Sequence, residues 1–130
     1  MQKIIIIGFP HSGTTILKAI ISHIRDVYEI INESKYITDD IINDVKNIDP
    51  DKKYIVCKYP FIDDSFFSSE YDDYIIIFII RNPIHVFSSL NKRFRYGELD
   101  NNHSIDKYLY VAEKFLYYQK NNKHNIFTKI

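Results

Sequence analysis

The chain has a single cysteine, Cys57, among its 130 residues. One cysteine excludes an intrachain disulfide and a cysteine-based metal cage, and it favours a reducing compartment. An excess of either charge is also lacking, since 17 basic and 17 acidic residues leave a formal net charge of zero. General nucleic-acid and membrane-surface binders draw their affinity from excess positive charge, so this balance speaks against both. A small anionic ligand held by a few local cations stays open. Long apolar runs are missing as well. Ile4 to Ile7 is too short for a signal-peptide core or a membrane span, and Tyr74 to Ile80 is far below spanning length. The histidines His23, His85, His103 and His124 show no metal-ligand spacing. No repeat, low-complexity tract or interdomain linker is visible. These absences predict a cytoplasmic single domain over 1–130, with no membrane, nucleic-acid or metal partner and an open oligomeric state.

What is present is a chain 45% hydrophobic, enough to build a core at this length. "KIIII" (Lys3 to Ile7) is continuously apolar and β-branched, the pattern of a central parallel strand covered on both faces. A glycine-containing loop follows. The segment after it, from Thr14 to Ile31, has apolar residues at helical spacing, with Ile16, Leu17, Ile20, Ile21 and Ile24 as one stripe. A short helix is predicted around Asp39 to Val45. "KYIVC" (Lys53 to Cys57) reads as a second strand and "YIIIFII" as a third. Pro83 opens a helix continuing through "IHVFSSLNKRF". Ser104 caps a longer helix with Tyr108, Val111, Ala112, Phe115 and Leu116 facing inward, and "NIFTKI" makes a fourth strand. Strands alternating with helices predict a three-layer α/β fold, a parallel β-sheet flanked by helices in the P-loop nucleotide-kinase-like manner.

In such sheets ligands bind at the carboxyl ends of the strands. Three segments end strands at that edge: "GFPHSGTT", "CKYP" and "IIRNP". In the first, Gly8 and Gly13 permit a tight wrap, backbone N–H groups and a helix N-terminus face an anion, and Ser12, Thr14 and Thr15 add hydroxyls. A P-loop NTPase would also use a lysine on the phosphates and a strand-end aspartate on Mg²⁺. Thr14 stands at the lysine position, and the most apolar strand ends in Arg81. Both departures suit an anion handled without Mg²⁺, such as a transferring sulfuryl group, which carries less charge than a phosphoryl group.

"FPHSGTTIL" resembles the 5′-phosphosulfate loop of the sulfotransferases that use 3′-phosphoadenosine 5′-phosphosulfate (PAPS). "IIRNPIHVFSSL" is similar to their 3′-phosphate signature, with Ser89 eight residues after Arg81, and "IVCKYP" resembles the segment between the two. The resemblance spans the chain from the first strand to the last. It implies that Pro10, His11, Ser12, Gly13, Thr14 and Thr15 hold the 5′-phosphosulfate. It further implies that Arg81 and Ser89 hold the 3′-phosphate, which agrees with arginine's bidentate recognition of phosphate. The implied reaction transfers a sulfuryl group from PAPS to a hydroxyl or amine, leaving adenosine 3′,5′-bisphosphate (PAP); the acceptor, small molecule, carbohydrate or protein, is left open.

Three features depart from that pattern. His11 stands where the family has Lys or Arg, the cation that offsets charge on the bridging oxygen. The family's general base does not carry over, and the corresponding stretch offers Cys57, Lys58 and Tyr59, with Asp63 and Asp64 downstream. Lys58 is a candidate for either the missing cation or the base. Third, relatives run longer and continue from the last strand into a Tyr-Glu-Asp-Leu-like stretch, which implies a chain truncated or minimal at its C-terminal side. The catalytic candidates are thus His11 and Lys58. "NKRFR" (Asn91 to Arg95) is a further candidate for the 3′-phosphate. The competing reading is a PAPS- or PAP-binding module with impaired catalysis; a small P-loop nucleotide kinase is the third.

Overall fold

The computed structural model describes residues 1–93, 103–122 and 125–130, without the side chains of residues 92 and 93. Its described strands form one five-stranded sheet with the order β2-β3-β1-β4-β5, and every neighbouring pair is parallel. The elements are β1 (Gln2–Gly8), α1 (Thr14–Ser22), β2 (Val27–Glu29), α2 (Asp39–Ile48), β3 (Tyr54–Tyr59), β4 (Tyr74–Ile80), α3 (Pro83–Arg93), α4 (Ile105–Asn121) and β5 (Ile126–Lys129). Two 3₁₀ turns, Asp64–Phe67 and Ser69–Tyr71, link β3 to β4. Among the described residues, no helix is long and apolar enough to cross a membrane.

The layers follow from the two-residue period of a strand. In β1, Ile5 and Ile7 enter a large core with Val86 and Leu90 of α3, Val111 and Phe115 of α4, and Ile42 and Val45 of α2. Ile4 and Ile6 point to the opposite face, into a smaller core with Val56, Ile77 and Ile79, covered by Leu17 and Ile21 of α1. Of the described helices, one lies on one face and three on the other, the three-layer α/β arrangement expected from the alternation of elements.

Three expectations are corrected. The first helix does not run to Ile31. It stops at Ser22, where the backbone N–H of His23 and the Ser22 hydroxyl turn back onto the carbonyls of Ile20 and Ala19. The released chain forms β2, whose Val27 and Tyr28 pair with Tyr54 and Ile55. Nor is the predicted stripe of α1 the buried one. Ile16 and Ile20 are 68% and 62% exposed, and Ile24 is exposed too. Thr14 and Lys18 are buried with Leu17 and Ile21 packed beside them. Residues 14, 17, 18 and 21 also share one helical face, and the glycine loop fixes Thr14 inward, so that face wins. In α4 the inward set is Tyr108, Val111, Phe115 and Tyr118, while Leu116 is exposed.

Candidate functional site

The loop after β1 is shaped by two residues with left-handed backbone, His11 (φ 63) and Gly13 (φ 96). Glycine reaches this region without steric cost; a non-glycine residue there carries strain of about 1 kcal/mol or more. Gly13 is the N-cap of α1 and offers no side chain to its first turn, which also lacks an acidic residue. The first-turn N–H groups therefore keep their attraction for an anion. The Ser12 amide donates to the Phe9 carbonyl at 3.1 Å, which closes the turn.

Because β1 is central, β3 and β4 flank it on opposite sides, and both strand ends meet the loop. On the β4 side, Arg81 Nη1 donates to the His11 carbonyl at 3.3 Å, and His11 Nδ1 lies 2.9 Å from Ser89 Oγ. Asn82 starts α3 by accepting the Ile84 N–H on its side-chain oxygen at 2.9 Å, and the Tyr108 hydroxyl donates to the Arg81 carbonyl at 2.7 Å. Arg81 and Ser89, two helical turns apart, are thus brought onto one side of the loop. On the β3 side, Lys58 Nζ donates to Thr15 Oγ1 at 2.6 Å and pairs with Glu33 at 3.0 Å.

His11, Arg81 and Ser89 on one side and Thr15, Lys58 and Glu33 on the other line a single cavity of about 370 Å³. Of the residues expected from sequence, Pro10, His11, Gly13, Thr14, Thr15, Lys58, Arg81 and Ser89 line it. Ser12 does not: its side chain is fully buried, and its hydroxyl has no hydrogen-bond partner among the described residues. The tight turn that presents its neighbours points Ser12 inward. Asp63 and Asp64 are not brought in either. Asp63 pairs with Lys35, and this hydrogen bond, with those from Ser65, pulls its carboxyl down to about 2. Asp64 accepts from the Tyr118 hydroxyl and from Lys114, which lower it too. Neither is built as a base for this cavity. Cys57 is buried below it; desolvation pushes its thiol up to about 12, and it donates to the Ser34 carbonyl at 3.4 Å. His23 and His85 are exposed, whereas His103 lines the cavity, contrary to its expected place among the scattered histidines. His124, Phe94 and Arg95 fall outside the described residues, as do the side chains of Lys92 and Arg93.

Glu33, Pro60 and Phe61 also line the cavity and were not legible as site residues. Pro60 and Phe61 follow directly on "CKY". Glu33 depends on β2: the Ile30 amide donates to the Val56 carbonyl and the Ser34 amide to the Lys58 carbonyl, which carries Glu33 along the end of β3. Without β2 in view, nothing placed it there.

No family model matches the chain, and no curated protein matches it. Among solved structures it is similar to the mouse sulfotransferase SULT7A1 complexed with PAP, with a TM-score of 0.54 and 18% sequence identity. The fold is sulfotransferase-like. The match covers 98% of this chain and 51% of the mouse protein, so the chain spans about half of that protein's length.

Proposed function

We propose that this chain binds PAPS and transfers its sulfuryl group to a hydroxyl or amine acceptor. The observation that carries the reading is the convergence of three strand ends on one cavity, with Arg81 and Ser89 on one side of the glycine loop and Lys58 on the other. The cavity volume falls within the range of ligand sites, about 300–1,000 Å³. The donor set fits a two-anion nucleotide: a left-handed loop with an uncapped helix start for one anion, and a guanidinium with a hydroxyl for the other. The mouse sulfotransferase of like fold is PAP-complexed, which adds support.

In this reading Gly13, Thr14 and Thr15, with Pro10 shaping the loop, hold the 5′-phosphosulfate, and Arg81 with Ser89 holds the 3′-phosphate. When bound, PAPS supplies the sulfuryl group. The remaining work falls to the chain. Lys58, already donating to Thr15, provides positive charge where the leaving oxygen develops negative charge. Glu33, beside Lys58, takes the proton that the acceptor hydroxyl or amine loses. His11 then serves as a link to Ser89 rather than as the loop's cation.

Calorimetric titration with PAP, 5′-AMP and ATP–Mg²⁺ tests the nucleotide assignment. PAP should bind at least tenfold more tightly than 5′-AMP, and Arg81→Ala should abolish that preference. A preference for ATP–Mg²⁺ would sink the reading in favour of a nucleotide kinase. One observation favours a second reading, a binding module with impaired catalysis: the loop carries His11 where the resembled pattern has Lys or Arg, and the His11 ring is turned to Ser89. Labelled donor with a panel of alcohols and amines separates the two. Turnover lost in Lys58→Met supports catalysis; no transfer even in His11→Lys supports the module.

A further inference from the structure

A second cavity, of about 320 Å³, opens on the α4 side of Arg81, between the ends of β4 and β5. Its size falls within the range of small-ligand sites, about 300–1,000 Å³. Ile80, Phe115, Leu116 and Ile130 supply most of its apolar wall. Phe115 is buried, whereas Leu116 and Ile130 are 51% and 64% exposed, so an apolar occupant has surface left to cover.

The polar groups of this cavity divide into two kinds. Two are already engaged: the Tyr108 hydroxyl donates to the Arg81 carbonyl, and the Asn82 side-chain oxygen accepts from the Ile84 amide. The other two are cations, Arg81 and Lys129. Lys129 pairs with Ile80 in the sheet register, so its side chain leaves the sheet on the same face, beside the strand end that carries Arg81. Its Nζ stands 5.9 Å from the centre of the Phe115 ring, over the apolar wall. Arg81 donates only to a neutral carbonyl, that of His11. Among the described residues, neither cation has a carboxylate partner, and no acidic side chain lines the cavity. An apolar slot with two unmatched positive charges at one end is complementary to a hydrocarbon chain with a single anionic head.

We infer that this second cavity binds a medium-chain carboxylate, its head on Lys129 and Arg81 and its chain along Phe115 and Leu116. Arg81 lines both cavities, and in the proposed function it also holds the 3′-phosphate. Two anions on one guanidinium repel each other, so each ligand weakens the other, by the same factor in both directions. That antagonism rests on the proposed PAPS site; the carboxylate site itself does not.

The test titrates the full chain calorimetrically with octanoate, octan-1-ol and octylammonium, each separately and without nucleotide. Octanoate should bind saturably and at least tenfold more tightly than the alcohol, the order for a charge-assisted contact. Octylammonium should not bind. Lys129→Met should bring octanoate towards the alcohol, and Leu116→Asp, at an exposed helix position, should abolish its binding. Thermal unfolding of both variants separates loss of the site from loss of the fold. No octanoate binding, equal binding of the alcohol, or binding that ignores both substitutions in folded protein overturns the inference. A dimer, seen by light scattering, that Leu116→Asp dissolves and octanoate leaves intact would also overturn it, by assigning the groove to a second copy. With octanoate bound, PAP affinity should fall by about threefold or more; an unchanged PAP affinity overturns the placement of the head group on Arg81. Failure of PAP to bind the free chain overturns the nucleotide reading alone, since the octanoate titration is made without it.

Discussion

A methyl group added at Gly8 would sit 2.4 Å from the Ile79 carbonyl oxygen, across the seam between β1 and β4. At Gly13 the same group would meet nothing closer than 3.5 Å, but the backbone there is left-handed. The two positions therefore fail differently. Gly13→Ala should cost about 1–2 kcal/mol, the strain of a left-handed non-glycine residue. Gly8→Ala must push β1 and β4 away from each other and should cost about 3 kcal/mol or more, the upper end for overpacking. Urea titration of both variants checks the order; equal losses would refute the contact at Ile79. Asp63 yields a pH prediction. Its carboxyl is depressed from 3.8 to about 2 in the folded chain, so its ion pair stabilises above the unfolded value and that contribution is lost as pH falls through this window. The group is well exposed, so the effect is small. Lys35→Met should remove the largest part of it and leave that from Ser65, seen as a flatter dependence of urea midpoint on pH between about 4 and 2.

At the scale of elements, the strands with unbroken Ile runs were legible because a strand covered on both faces needs no other pattern. Pro83 and the Ser104 cap marked two helix starts in the same way. The short strand β2 was not legible, because Val27–Glu29 continues a plausible helical pattern and gains its identity only by pairing with β3. Its absence hid Glu33, and the choice of buried face on α1 hid Lys18. That lysine is 4% exposed, donates to the Ile30 carbonyl at 2.9 Å and lies 3.4 Å from Glu29. It is a buried cation that pins the end of β2 to α1. Lys18→Met should leave this carbonyl and carboxylate without their partner and destabilise by about 1–3 kcal/mol. Amide exchange in that variant should show faster opening at Val27–Glu29 with β1 unchanged; equal acceleration in both strands would contradict a local pin.

For the whole molecule, order within the sheet sets what each strand can do. The site residues come from segments far apart in sequence, yet "GFPHSGTT", "CKYP" and "IIRNP" were recognisable because each ends a strand at the same edge. Their partners across the cavity were not, since Glu33 and His103 lie in polar stretches with no local signature. β1 and β4 sit inside the sheet, while β2 and β5 are its edges, short and half-covered. Their amides should exchange fastest among the strands, with β1 slowest. The same architecture turns Cys57 into an internal clock. Its sulfur lies in the middle of β3, fully buried, with the thiol pushed up to about 12. Since only a thiolate reacts readily, alkylation must wait until the sheet opens. With no second cysteine to confuse the signal, a thiol reagent added to the native chain would time each excursion to the opened state, and any ligand that closes the cavity above β3 would slow the count.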